Sequence, residues 1–205
     1  MKKTVLILDM YGVILKESKG NFIPYTYNYF DENEHERLTK MFREERIFTK
    51  AAMGEITSDE FLTILGYDNP QFHMKNYIEN HLTLDDGFIP FAEKYAKYYD
   101  FVLLSNDVSE WSSYITEYYQ INKYFKHKIV SGEVNCRKPG KQIYELTIEK
   151  IQKEASECYF VDNSVGNLCV ARELGIAPIL FNRDGESYED VTVNSFEELA
   201  DLIAR

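Results

Sequence analysis

From Gly87 onward the chain alternates short apolar runs with helical patterns, and this alternation restricts the fold more than any other feature. A helical pattern at 88–98 precedes the run 101–104, and one at 109–119 precedes 128–130. A third at 141–151 leads to 158–161, and a fourth at 167–174 leads to 178–181. The N-terminal run 3–8, with its T-V-L-I-L core, is β-branched and aliphatic and lacks the spacing of an amphipathic helix, so it reads as a buried strand. Five such strands separated by helices imply an α/β fold, a Rossmann-like and mainly parallel sheet covered by helices on both faces. Residues 195–204 add a closing helix.

The stretch 27–81 differs in character. Leu38, Met41, Phe42, Ile47, Phe61, Leu62, Ile64 and Leu65 recur at helical spacing among polar residues, the pattern of a small helical bundle. Thr57-Ser58-Asp59-Glu60 starts one of its helices: Thr57 or Ser58 caps it, and the acids lie in the first turn against the helix dipole. The expected organisation is therefore an α/β core from 1–15 and 87–205, with a helical module at 16–86.

A chain of 205 residues has room for one large core and a smaller module, hence one main site. The net charge of −11 opposes binding to nucleic acid or acidic membranes, and an anionic substrate needs local positive charge. No apolar run approaches the roughly 20 residues that span a bilayer. Asp9 breaks the N-terminal apolar stretch and no small-residue cleavage site follows, so a signal peptide is not expected. Cys136, Cys158 and Cys169 are odd in number and lack metal-ligand spacing, which suits reduced thiols in the cytoplasm. His35, His73, His81 and His127 are scattered and read as surface or core residues.

Ligands of an open parallel sheet bind at the carboxyl ends of its strands. Asp9 follows Leu8 there, Ser105-Asn106-Asp107 follow Leu104, and Asp162-Asn163-Ser164 follow Val161. Arg137-Lys138-Pro139, in the loop after the strand at 128–130, brings positive charge to the same edge. Two carboxylates, a hydroxyl, an amide and a lysine suit Mg²⁺ and a phosphate.

In these segments the sequence resembles the haloacid dehalogenase superfamily of hydrolases. Ile7-Leu8-Asp9-Met10-Tyr11-Gly12-Val13 is similar to its first motif, Leu103-Leu104-Ser105-Asn106 to its second, Arg137-Lys138-Pro139 to its third, and Phe160-Val161-Asp162-Asn163-Ser164 with Asn167 to its fourth. The module at 16–86, including Gly54-Glu55-Ile56-Thr57-Ser58-Asp59-Glu60-Phe61, resembles the family's small helical cap. The resemblance implies that Asp9 is the nucleophile, forming an aspartyl-phosphate. It implies Mg²⁺ held by Asp9, the Tyr11 carbonyl and Asp162, with Asn163 orienting a metal-bound water. Ser105 and the Asn106 N–H would bind phosphate oxygens, and Lys138 would neutralise charge between Asp9 and the phosphate. Met10 has a side chain able to face substrate. Phe22, Tyr25, Tyr27 and the Met53-Gly54-Glu55 turn are candidates for substrate recognition or for packing.

Tyr11 departs from the family's phosphatases, which read Asp-x-Asp-Gly and use the second acid to protonate the leaving oxygen. Tyrosine, with a reference pKa of about 10, is a much weaker acid. The family's 2-haloacid dehalogenases carry tyrosine at this position but lack an aspartate matching Asp162. Three readings follow: an Mg²⁺-dependent phosphatase of a small phosphorylated metabolite, a 2-haloacid dehalogenase, or a weakly active phosphate-binding regulatory protein.

Overall fold

The computed structural model describes residues 4–204; residues 1–3 and 205, including the Lys3 start of the first expected strand, lie outside the described residues. Strand β1 (Thr4–Leu8) is followed by helices α1 (Phe22–Tyr29), α2 (His35–Arg43), α3 (Ile47–Ala52), α4 (Ser58–Leu65) and α5 (Pro70–His81). The alternating part then runs α6 (Phe88–Tyr95), β2 (Tyr99–Ser105), α7 (Ser109–Tyr118), β3 (Phe125–Val130), α8 (Ser131–Val134) and α9 (Lys141–Ile151). It ends with β4 (Cys158–Asp162), α10 (Val165–Glu173), β5 (Ala177–Phe181), β6 (Thr192–Val193) and α11 (Phe196–Ile203).

The strands form one sheet in the order β3-β2-β1-β4-β5-β6, and every pairing is parallel. Successive side chains of a strand face opposite ways, and β1 shows the consequence. Leu6 and Leu8 enter one core with Leu103, Val161, Ile179 and Phe181, whereas Val5 and Ile7 enter a second with Val102, Leu104, Phe160 and Leu180. Such a two-sided core explains why these strands are continuously apolar. The chain leaves β1 in one direction for β2 and β3 and in the other for β4 to β6, so a crevice opens between the carboxyl ends of β1 and β4. Leu8 pairs with Val161 there, and the Asp9 N–H donates to the Val161 carbonyl at 3.0 Å.

Helices α1 to α5 share the first core through Trp111 of α7, which is fully buried. The Phe22 ring lies 4.8 Å from it, Tyr77 5.2 Å and Phe61 5.9 Å, and the Trp111 indole N–H donates to Ser58 Oγ at 2.7 Å. The capping residue of α4 is Thr57, in a capping box with Glu60.

Several boundaries differ from the sequence reading. The first helix of this segment begins at Phe22, ahead of the stretch read as helical, with Pro24 in its first turn where a missing N–H costs nothing. The helix expected at 88–98 ends at Tyr95, and the one expected at 167–174 begins at Val165. Strand β6 was not expected, since two residues carry no readable alternation.

Candidate active site

The crevice joins the ends of three neighbouring strands. Asp9 stands after β1 and is 7% exposed, Asp162 ends β4 fully buried, and Ser105 ends β2 fully buried. Lys138, which reaches in from the loop between α8 and α9, is 1% exposed. Its Nζ lies 2.7 Å from Asp9 Oδ1 and 2.7 Å from Asp162 Oδ2, and donates to the Leu104 carbonyl at 2.9 Å. Burial alone would lower the lysine's pKa, but Asp162 and Asp9 together hold it above the ordinary value. Lysine therefore stays charged between them. Burial raises the Asp9 carboxyl to about 7 against the pull of Lys138, with Asp162 adding to the rise.

Each of these groups is locked by a neighbour. Asn106 and Lys138 exchange two hydrogen bonds: the Asn106 amide donates to the Lys138 carbonyl at 2.9 Å, and the Lys138 N–H to Asn106 Oδ1 at 2.8 Å. The peptide bond between Lys138 and Pro139 is cis. Asn167 donates to both Asp162 oxygens at 3.1 and 3.0 Å, and the Ser164 N–H adds a third bond to Oδ1 at 2.8 Å. Asp9 Oδ1 takes the Met10 N–H at 2.7 Å as well as Lys138, so among the described residues Oδ2 is the oxygen left free. Asn163 donates to Asp184 Oδ2 at 3.3 Å. Gly12 has φ +80, and a Cβ on it would stand 2.4 Å from Asn163 Nδ2, so a side chain there would collide with the site.

Two observations bear on which ligands fit. The Ser105 hydroxyl is buried with no hydrogen-bond partner among the described residues, a costly state that an oxyanion acceptor would relieve. The carboxylates of Asp9 and Asp162 with one lysine leave a net negative charge, which a divalent cation would balance. The Leu15 N–H donates to the Met10 carbonyl, and Arg183 donates to those of Gly12 and Val13, whereas no donor among the described residues reaches the Tyr11 carbonyl. The oxygen donors of Asp9, Asp162 and Tyr11 are the hard ligands that Mg²⁺ takes. Among the described residues no cluster of three or more His, Cys, Asp or Glu could hold a metal, so such a site needs that carbonyl.

Tyr11 has a separate environment. Its hydroxyl donates to Asp107 Oδ1 at 3.2 Å. Asp107 is fully buried and also accepts from Ser112 Oγ at 2.7 Å and the Val108 N–H at 2.9 Å. Burial pushes the Asp107 carboxyl up to about 7 against these three donors. Burial, reinforced by Asp107, pushes the Tyr11 phenol well above its ordinary range. The phenol is neither an acid nor a base near neutral pH.

A cavity of about 330 Å³ opens over Asp9, lined by Tyr11, Asn106, Lys138, Asn163 and Asn167 together with Phe22, Phe48 and Tyr77 from the helical segment. Of the recognition candidates, Phe22 lines it. Tyr25 packs instead on His73, whose Nδ1 lies 2.9 Å from the Tyr25 hydroxyl, and Tyr27 bonds Thr39. The Met53-Gly54-Glu55 turn docks on α8, where Asn135 donates to the Met53 carbonyl at 2.8 Å. Met10 is fully buried in the core and does not face the cavity. Sequence reasoning missed Phe48, Tyr77, Asp184, Glu186 and Arg183. None lies in a motif, and only the fold brings the first four to the cavity; Arg183 donates instead to the Gly12 and Val13 carbonyls and pairs with Asp85.

A parallel α/β sheet with one polar crevice at its switch point defines the class of protein. A family model for haloacid dehalogenase-like hydrolases matches residues 3–175, and the chain belongs to that family of hydrolases. Solved structures agree on the fold. A haloacid dehalogenase family enzyme from Bacteroides thetaiotaomicron superposes with a TM-score of 0.75 at 22% identity, covering 92% of this chain and 97% of that one. A phosphatase of the same family from Thermococcus onnurineus gives 0.74 at 19% identity, covering 98% and 97%. A protein described as a dehalogenase gives 0.69 at 19%, covering 100% and 98%. A comparison with curated proteins gave no match. No helix among the described residues is long and apolar enough to cross a membrane.

Proposed function

We propose that the protein is an Mg²⁺-dependent phosphatase of a small phosphorylated metabolite, acting through an aspartyl-phosphate on Asp9. The observation that carries this reading is Lys138, buried and bonded at 2.7 Å to both Asp9 and Asp162. A site that kept Asp162 and its three donors only for packing would have no use for a buried charge at that cost. The Bacteroides enzyme has been crystallised with magnesium and inorganic phosphate, which supports the same ligands here.

Asp9 Oδ2 attacks phosphorus, the bond from phosphorus to the leaving oxygen breaks, and that oxygen takes a proton from solvent. Water then attacks the phosphoryl group on Asp9, releasing orthophosphate and restoring the carboxylate. Ser105 Oγ and the Asn106 N–H bind phosphate oxygens, and Lys138 offsets the charge that gathers between Asp9 and the phosphate. Asp9, Asp162 and the Tyr11 carbonyl would hold Mg²⁺, which supplies charge neutralisation when bound. Asn163 is on the cavity wall, where it can orient water. Because the Tyr11 phenol is tied to Asp107 and is a very weak acid, leaving groups must depart with little protonation. Aryl and acyl phosphates are therefore turned over faster than alkyl ones, by the ~10²–10⁴-fold that general acid catalysis contributes.

The division into a core and a cap at 16–86, with the cap selecting substrate, belongs to this reading, supported by Phe22, Phe48 and Tyr77 on the cavity wall. So does a cytoplasmic setting, supported by three free cysteines. The test is phosphate release from aryl, acyl and alkyl phosphates with Mg²⁺ and with EDTA. Release that requires Mg²⁺ and ranks aryl above alkyl is expected; none from any substrate rejects the reading. Tyr11 itself favours a second reading, displacement of halide from carbon by Asp9, for which halide release from 2-chloropropionate that survives EDTA is the signature. A phosphate-binding protein without turnover would show Mg²⁺-dependent phosphate binding alone, and Tyr11→Asp would then raise hydrolysis.

A further inference from the structure

The loop that follows β1 is gripped from a place that no motif marks. Residues 10–15 form a closed turn: the Gly12 N–H donates to the Leu15 carbonyl at 2.9 Å, and the Leu15 N–H to the Met10 carbonyl at 2.8 Å. A trans peptide points its N–H and C=O opposite ways, so fixing the Gly12 N–H also fixes the Tyr11 carbonyl of the same plane. The next two carbonyls belong to Arg183, in the turn between β5 and β6. Its Nε donates to the Gly12 carbonyl at 3.1 Å and its Nη2 to the Val13 carbonyl at 3.3 Å. The same Nη2 pairs with Asp85 Oδ2, while Asp85 Oδ1 accepts the Gly87 N–H at the start of α6 at 2.8 Å. Asp85 lies on the returning chain, which runs antiparallel to the outgoing one. Leu15 faces Leu84 in a bridge, the Asp85 N–H donates to the Ile14 carbonyl at 2.9 Å, and the Lys16 N–H to the Thr83 carbonyl at 2.9 Å. One guanidinium thus holds both chain segments that join the sheet to helices α1 to α5.

The turn that carries Arg183 is itself stiffened. Asn182 exchanges two bonds with the Glu186 backbone, its amide donating to the carbonyl at 3.0 Å and its Oδ1 accepting from the N–H at 2.9 Å. The turn also meets the site a second time: Asp184 Oδ2 accepts from the Asn163 amide at 3.3 Å, and Asn163 stands directly against Gly12. A guanidinium presents its donors in a rigid plane, so two carbonyls and a carboxylate met at once are held at set angles. The side chains of Arg183 and Asp85 are only 19% and 15% exposed, where salt screens an ion pair little.

We infer that Arg183 is a positioning residue for the metal site: by tying the Gly12 and Val13 carbonyls to Asp85 it fixes the loop that presents the Tyr11 carbonyl to Mg²⁺. The inference rests on the metal part of the phosphatase reading and goes beyond it in assigning the support behind a backbone ligand. Arg183 touches neither metal nor substrate and acts through the peptide planes of the loop. Groups that orient metal ligands in this way commonly contribute about 10–100-fold to metal affinity.

The test titrates Mg²⁺ into the full chain by calorimetry, without substrate, and then follows phosphate release from phenyl phosphate across Mg²⁺ concentrations. Arg183→Met should weaken Mg²⁺ binding about tenfold or more, with Arg183→Lys between it and the wild type. Phosphate release by Arg183→Met should be low at limiting Mg²⁺ and recover at saturating Mg²⁺, a split that a general loss of structure would not produce. Arg172→Gln serves as the control. It removes an ion pair with Asp190 in the same β5–β6 connection but touches no part of the loop after β1, and its Mg²⁺ affinity should match the wild type. Near-ultraviolet circular dichroism in EDTA checks that each variant is folded. Should Arg183→Met fail to fold, Arg183→Lys carries the test, because one ammonium nitrogen cannot replace Nε and Nη2 together. Wild-type Mg²⁺ affinity in the folded Arg183 variants overturns the inference and leaves the phosphatase reading standing. So does a loss of phosphate release that excess Mg²⁺ does not restore. Weakened Mg²⁺ binding in Arg183→Met, with no phosphate release by the wild type from any ester, upholds the inference and rejects the phosphatase reading. A wild-type chain that takes no Mg²⁺ rejects the metal site and the inference with it.

Discussion

Asp162 and Asp107 stand on either side of Asp9, both fully buried and both bound by three or more donors, yet the two surroundings differ in kind. Asp162 accepts from a lysine, an asparagine and a backbone N–H, and its positive partner is shared with Asp9. Among the described residues Asp107 accepts only from neutral groups, the hydroxyls of Tyr11 and Ser112 and the Val108 N–H. Met by neutral donors alone, the Asp107 carboxyl is raised by burial to about 7. The first side of the crevice carries a lysine between two carboxylates. The second holds Tyr11 in place and withdraws its proton from use.

The contrast can be broken most sharply on the charged side. Asp162→Asn removes a proposed metal ligand and half of the lysine's compensation, and phosphate release should fall by about 10³-fold or more with a raised Mg²⁺ requirement. An unchanged Mg²⁺ titration would show that Asp162 is not a ligand. Lys138→Met leaves two buried carboxylates without their cation. Chemical denaturation should register a loss of about 3–5 kcal/mol, the penalty for breaking one partner of a buried ion pair.

Asp107→Asn tests the neutral side through pH. The Asp107 carboxyl is raised from 3.8 to about 7, so between those values the folded chain holds a proton that the unfolded chain has lost. Stability therefore declines as pH rises through that window, by up to about 1.4 kcal/mol per pH unit from this one group. Unfolding measured from pH 4 to 8 should show a shallower decline in the Asn variant. A parallel pair of curves would mean that Asp107 is ionised like an ordinary aspartate. The smallest effect is expected from Tyr11→Phe, which removes one of three donors to Asp107 and no group that transfers a proton. Turnover of aryl phosphates should change by less than about tenfold, and a loss of 10² or more would make the phenol a catalytic acid.

The charged side was legible in the sequence and the neutral side was not. Asp9, Ser105 and Asp162 each end or follow an apolar strand and Lys138 lies in the loop region beyond another, and the rule that parallel sheets bind ligands at carboxyl ends brings them together without coordinates. Asp107 was visible beside Ser105 and Asn106, but nothing in its position says that a hydroxyl from β1's end would reach it. Such pairings depend on side-chain direction after a turn. The sheet itself was readable because a strand buried on both faces must be continuously apolar, whereas β6 is too short to show a pattern. The cavity wall was only partly readable. Phe22 stood out as a candidate, but Phe48 looks like any other aromatic of a helical segment until Trp111 fixes where that segment packs.

The central claim is that Asp9 carries the phosphoryl group, and acid-quenched turnover followed by mass spectrometry tests it most directly. With an aryl phosphate and Mg²⁺, a covalent phosphoryl adduct is predicted on the peptide containing Asp9, absent after EDTA and absent in Asp9→Asn along with phosphate release. Phosphate release that persists in Asp9→Asn, or an adduct on any other residue, would contradict it.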